Sequence, residues 1–313
     1  MLRLVGKRLV QLLMVLLFLS IMTFTLMKLA PGDPVLSILQ ADKLNVTRAD
    51  EAKLREEFGF DQPLYVQYGK WMQGLFRLDL GHSYLTGEPV WEEMMKRLPI
   101  TLQLTAGALV VMLFISFPLG ILGARYPNKW PDQISRVLAL IGASVPSFWL
   151  GLFLIYFFAF RFQLLPSTGR DTWFHMILPS LTLGFSLAAV YARLLRAGLL
   201  DSLSQEYIRA ARARGVPERR ILWRHALRGA LLPIITVFGT SIGHLIGGSV
   251  VVEMLFSWPG LGSMAIEAIF GRDYPVIQGY VLLTGVFVVG MNLLVDLSYR
   301  LVDPRIRFRK EDS

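Results

Sequence analysis

The sequence predicts an all-α membrane protein with six transmembrane helices, and three observations carry that prediction. Of its 313 residues, 54% are hydrophobic and 18% are charged, a balance too apolar for a soluble domain. Six uncharged runs are each long enough for a helix to cross the hydrocarbon of a bilayer, which takes about 20 residues. Basic residues gather in alternate connecting loops, as they do when one side of a membrane retains them.

The first run, Leu9–Met27, follows a basic flank of Arg3, Lys7 and Arg8. A cleaved signal peptide is the rival reading. However, the run exceeds a typical signal core, and Lys28 and Pro31 spoil the small-residue cleavage pattern, so an uncleaved span (residues 1–30) is expected. Residues 31–97 form the one long polar stretch, expected to be a small external cap, with a simple folded linker as the alternative. It opens on the turn cluster Pro31-Gly32-Asp33-Pro34, continues with an amphipathic helix expected over Glu51–Phe58, and carries Tyr65, Tyr68, Trp71 and Phe76. Aromatics of this kind suit a membrane interface. The other five runs are Leu98–Ala124, Val137–Phe160, Thr172–Ala192, Gly229–Val252 and Tyr274–Val295. Together they make a five-span core over 98–302, with kinks expected near Pro118, Pro146 and Pro179. Between the last two, Met254–Ile266 is apolar but too short to cross. Its Phe256-Ser257-Trp258-Pro259-Gly260-Leu261-Gly262 sequence forbids a regular helix, so it reads as a re-entrant segment or an external loop.

Charge sets the orientation. The N-terminus, the loop with Arg125, Lys129 and Arg136, the loop 193–228 with nine arginines against three acids, and the tail 303–313 with Arg305, Arg307, Arg309 and Lys310 form the basic set. Residues 31–97 carry eight basic and eleven acidic groups. Both termini and the 199–228 loop are therefore expected in the cytoplasm, and 31–97 outside. The net charge of +9 is explained by this orientation, without nucleic acid as a partner.

The chain has no cysteine, which excludes disulfides and thiolate metal sites. No phosphate-binding loop surrounds Gly6-Lys7 or Gly69-Lys70, and His82, His175, His225 and His244 form no zinc-type pair. A membrane-embedded enzyme lacks any nucleophile–base set. A stand-alone ion-coupled carrier needs buried carboxylates along its path, and only Asp296, near a membrane edge, joins His244 as a clear intramembrane ionisable group. The expected source of energy is another subunit, and loop 199–228 is the place to receive it. There Ala210, Ala211 and Ala213 favour a helix, Gly215 suits its left-handed cap, and Pro217 starts a second helix reaching His225. Tyr207, Ile208 and Ala211 share a face, which would fit a groove on a partner. The alternative is a basic loop resting on lipid headgroups.

Ala210-Ala211 with Gly215, then Ile221, His225 and Leu232-Pro233, resembles the coupling motif of permeases in binding-protein-dependent ABC importers. Pro31-Gly32-Asp33-Pro34, Asp61-Gln62-Pro63-Leu64, the Phe256–Gly262 segment, Arg272-Asp273-Tyr274-Pro275-Val276-Ile277-Gln278 and Asp303-Pro304-Arg305-Ile306-Arg307 are similar to landmarks of the first permease in the dipeptide/oligopeptide/nickel group. Arg209 stands where the general motif has Glu, and Gly229 where Asn is frequent. The resemblance implies the type I importer permease fold with an extra N-terminal span, in a bacterial or archaeal cell membrane. It further implies a second permease, two ATPase subunits that bind ATP and Mg, and an external solute-binding protein, with no cofactor in this chain. Tyr207, Arg209, Ala210, Ala211, Gly215 and His225 would couple to an ATPase. His244, Glu253 and Trp258 are the candidates for the translocation path. The run Gly243-His244-Leu245-Ile246-Gly247-Gly248 resembles the nickel branch, so nickel or a nickel chelate is the first substrate expectation, with His244 as ligand or as an interhelical hydrogen-bonding group. Di- or oligopeptides are the second, and the absence of a long insertion between spans three and four resembles glutathione-type as well as nickel-type permeases.

Overall fold

The computed structural model describes residues 2–29 and 59–302, together with 35 and 55. The expected helix Glu51–Phe58, the Pro31–Pro34 turn and the tail after 302 therefore lie outside the described residues. The chain divides into two compact units, one comprising 1–101 and 259–289, the other 102–258 and 290–313.

In the first unit, α1 (Leu2–Leu29) contains the expected first span. The short helix α2 (Leu64–Phe76) packs on it: the Ser20 and Tyr68 hydroxyls lie 2.9 Å apart, and Phe24 meets Tyr68 edge-on with centroids at 5.3 Å. These aromatic contacts place the Tyr68–Trp71 stretch against the C-terminal half of α1. Long helix α3 (Val90–Arg125) begins in this unit. Its Val90 and Met94 pack with Leu261, Met264 and Ala268 of α11 (Leu261–Gly271) and with Tyr274, Val276 and Ile277 of α12 (Tyr274–Val302). A buried carboxylate, Asp273, accepts from the Ser83 hydroxyl and the Leu85 amide. Burial and the nearby Asp273 charge push the Tyr84 phenol up from its ordinary value.

In the second unit, α4 (Trp130–Ser144) and α5 (Ser147–Leu154) replace the single span expected over Val137–Phe160. The two are bent by 105°. Proline disfavours the helical region for the residue before it, and here Val145 sits at φ −83°, ψ 123°, where the helix ends. A π-helical turn, Ile155–Arg161, continues α5. The helix α6 (Ile177–Ser204) is the hub of the unit, contacting α4, α5 and α9 (Leu227–Gly248). Its Ala188, Tyr191, Leu195 and Leu199 pack with Met112 of α3 and Ala230 and Ile234 of α9. Without a hydrophobic drive between helices in lipid, close backbone approach and interhelical hydrogen bonds hold such contacts. Both occur here. A Cβ on Gly184 would lie 2.6 Å from the Ala108 carbonyl oxygen, and Tyr191 donates to the Ser241 hydroxyl at 2.9 Å.

Among the described residues, four helices are long and apolar enough to cross a membrane, or up to six when each of two bent pairs is one span. The second pair, bent by 42° around Pro233, joins Glu218–Leu231 to Pro233–Gly243. The short α10 (Val250–Leu255) then ends at the expected irregular stretch, where Ser257 takes φ +50° and Gly260 is extended before α11 resumes the helix.

Candidate functional site

Three features of the second unit concern function: a rigid turn after α6, an ion cluster that fixes α6, and a cleft between α3 and α6.

The turn begins where Gln205, with ψ 150°, ends α6 and caps α7 (Glu206–Ala213). At its far end Gly215 takes φ +76°. Its amide donates to the Arg212 carbonyl at 2.9 Å, and the Val216 amide to the Ala211 carbonyl at 3.2 Å. This is the paired 5→2 and 6→1 bonding of a Schellman cap, and Val216 adds the apolar contact that accompanies it. No atom lies within 4 Å of a Cβ built on Gly215, so left-handed φ, not space, calls for glycine here. Ile208, Ala211 and Ile221 are buried together, with Leu203 and Val216 packed around them.

That packing corrects the sequence reading of the α7 face. Ile208 and Ala211 do not await a partner's groove, because the turn itself covers them. Tyr207, Arg209, Ala210 and Gly215 are exposed, so these present the outward surface. The short α8 (Glu218–Arg220) runs into a π-helical turn, Ile221–Ala226, in which His225 is half-buried and which leads into α9. Gly229 also has a local reason: a Cβ there would sit 2.7 Å from the Ser202 hydroxyl. Arg212 Nε donates to Glu218 Oε1 at 2.7 Å across the turn, holding the Glu218 carboxyl below its usual range. Both side chains are largely exposed, and such pairs contribute little, about 0–1 kcal/mol. Glu218→Gln should therefore leave membrane level and transport unchanged, as immunoblots and uptake assays would show.

Sequence reading missed the second feature. Asp132 at the start of α4 is fully buried. It accepts from Arg196 of α6 at 2.5 and 2.9 Å, from Arg136, and from the Asn128 amide at 2.8 Å. The Asp132–Arg136 spacing was visible in the sequence, but nothing there linked Asp132 to a residue 64 positions away. This cluster ties α4 to the helix that carries α7.

The third feature is a cleft of about 800 Å³ whose lining includes Gln103, Val110, Arg170, Trp173, Ser180 and Trp258. Arg170 donates to Gln103 at 2.9 Å and lies 5.9 Å from the Trp258 ring. Of the candidate path residues, Trp258 lines it. Glu253, fully buried, accepts from Ser249 at 3.0 Å, and its carbonyl accepts from the Trp258 amide at 2.7 Å. The backbone thus brings Glu253 and Trp258 together, while the side chain of His244 lies outside the described residues. Among the described residues no three His, Cys, Asp or Glu groups are placed to hold a metal. Arg170, Gln103 and Ser180 escaped the sequence reading because each is an isolated polar residue without a pattern.

Residues 116–308 match the family described as binding-protein-dependent transport system inner membrane component, and residues 1–105 its N-terminal counterpart. The chain is 40% identical over 311 residues to the glutathione transport system permease protein GsiC of Shigella flexneri serotype 5b, covering 99% of this chain and all of that protein. The corresponding permease of Salmonella typhi matches equally. In structure, the chain is similar to one from the MetNI methionine ABC transporter in an inward-facing conformation, with a TM-score of 0.57 at 20% identity, covering 67% of this chain and 96% of that one. A chain of an amino acid ABC transporter, crystallised with histidines, gives 0.55 at 17% identity, covering 67% and 94%.

Proposed function

We infer the detailed function from one premise: this chain belongs to the family of binding-protein-dependent transport system inner membrane components, and it is a permease subunit of an ABC importer. Such a subunit works with an ATPase and a substrate-binding protein. The finer reading is that this chain pairs with a second, different permease and forms half of the translocation path. Two ATPase subunits would bind ATP and Mg beneath it, and an external binding protein would deliver the substrate. The distribution of basic residues supports cytoplasmic termini.

The observation that carries this reading is the α7 turn. It follows α6 directly, is locked by the Gly215 cap and its own small core, and turns Tyr207, Arg209 and Ala210 outward. A rigid element of this kind can pass a push from an ATPase to α6. The arrangement cycles only if ATP and the loaded binding protein each prefer a different conformation.

For the substrate, the permeases at 40% identity over nearly the whole chain support a short peptide of glutathione size ahead of nickel. The Arg170–Gln103–Trp258 cleft offers a cation, an amide and an aromatic wall, which suit a carboxylate-bearing peptide. Reconstituting both permeases, the ATPases and the binding protein in vesicles tests the substrate: labelled glutathione-sized peptide should enter, and nickel should not compete. Competition by nickel that disappears in His244→Ala would reverse that assignment.

A further inference from the structure

The first unit contains a pocket that the transport reading does not use. It has a volume of about 440 Å³ and lies between the C-terminal end of α1, the Gly59–Gln62 turn, α2 and the start of α12. Its wall is aromatic. Phe24, Phe60, Trp71, Tyr84 and Tyr274 all line it, and Phe60 meets Tyr84 edge-on with centroids at 5.9 Å. Lys28 reaches in from the end of α1, with Nζ 5.1 Å from the Phe60 centroid and 5.7 Å from that of Phe24. Lys70 is a second cation in the lining, and among the described residues no carboxylate lines the pocket.

Two buried polar atoms in the lining residues lack a hydrogen-bond partner among the described residues: the donor Trp71 Nε1 and the acceptor Gln62 Oε1. Buried polar atoms are nearly always paired, and an orphan calls for an unseen ligand or water. The turn that holds Gln62 is itself well fixed. Gln67 Nε2 donates to the Phe60 and Gln62 carbonyl oxygens at 3.0 and 2.7 Å, and Gly59 takes φ +65°. The backbone of Gln62 is thus held in place by a built turn.

Location narrows the ligand. The pocket opens where the apolar run of α1 ends, at the depth where Lys and aromatic side chains meet lipid headgroups. Just before it, Phe18, Met22 and Leu26 of α1 are exposed apolar side chains suited to acyl chains. A headgroup here must bring a negative charge for two lysines and a hydrogen-bond acceptor for the Trp71 N–H. It must also bring a donor for Gln62 Oε1 without adding positive charge. Phosphatidylcholine has no donor, and phosphatidylethanolamine adds an ammonium. A glycerol phosphodiester satisfies all three.

We propose that this pocket is a binding site for one phosphatidylglycerol headgroup, with Lys28, Lys70 and the Trp71 N–H facing the phosphate and Gln62 Oε1 accepting from a glycerol hydroxyl. The site is independent of the transported substrate, so it stands or falls separately from the peptide reading.

Native mass spectrometry of the assembled, delipidated transporter, titrated with defined lipids, tests it. Wild type should bind one tight phosphatidylglycerol that is lost when this chain carries Lys28→Gln. Affinity for phosphatidylglycerol should exceed that for phosphatidylcholine or phosphatidylethanolamine by tenfold or more. Trp71→Phe, which keeps the packing and removes only the N–H, should weaken binding at least threefold. Arg219→Gln, outside this unit, should leave the site intact. Equal affinity for the three lipids, or unchanged binding in both Lys28→Gln and Trp71→Phe, would overturn the proposal. So would displacement of the lipid by glycerol phosphate at equal concentration, which would mark a site for a soluble phosphate.

Discussion

Asp132→Ala should cripple the protein before transport is ever measured. The substitution leaves Arg196 without its buried carboxylate, at a position where α4 and α6 are joined. Removing one partner of a buried ion pair typically costs about 3–5 kcal/mol. Arg136 is half exposed and water can take over its charge, which places this site near the low end, at roughly 3 kcal/mol. Membrane level and the thermal midpoint of the purified complex should both fall. The expected contrast is the double replacement Asp132→Ala with Arg196→Met, which removes both charges and should recover much of the loss. If the single variant is as stable and as abundant as wild type, the cluster does not hold α6 in place.

Gly215→Val should separate ATP hydrolysis from uptake while leaving the chain in the membrane. A β-branched residue at φ +76° faces the left-handed penalty of about 1–2 kcal/mol, and no neighbour obstructs its side chain. The strain falls on the cap that fixes the end of α7. Gly215→Asn is the matched control, because asparagine tolerates left-handed backbone. In the reconstituted complex, the Val variant should lose most of the ATPase stimulation given by the loaded binding protein. The Asn variant should keep most of it. Equal coupling in both would detach the cap from the transfer of force.

The cap was readable in advance because it is a local rule: a run of helix formers, a glycine and then a proline. The six apolar runs were equally readable, since bilayer thickness sets their length. What a sequence could not supply were quantities fixed by tertiary packing. Pro146 dictates the backbone of Val145, yet the 105° between α4 and α5 depends on how both helices lie against α6. The period of α7 correctly joined Ile208 to Ala211, but periodicity marks an apolar face without saying who covers it. Here Leu203, Val216 and Ile221 do, and the outward surface is the polar side. The Asp132–Arg196 pair and the Arg170–Gln103 pair, 64 and 67 residues apart, involve single residues with no repeating pattern. The lone Trp258 was readable only because its Ser-Trp-Pro-Gly setting breaks a helix.

The most direct measurement is uptake of a labelled, glutathione-sized peptide into vesicles containing this chain, its partner permease, the ATPases and the binding protein. Uptake should require ATP inside the ATPase compartment, cease in Gly215→Val, and continue when the proton gradient is collapsed. Uptake by this chain alone that needs no ATP and stops with the proton gradient would contradict the assignment of its driving force to partner ATPases.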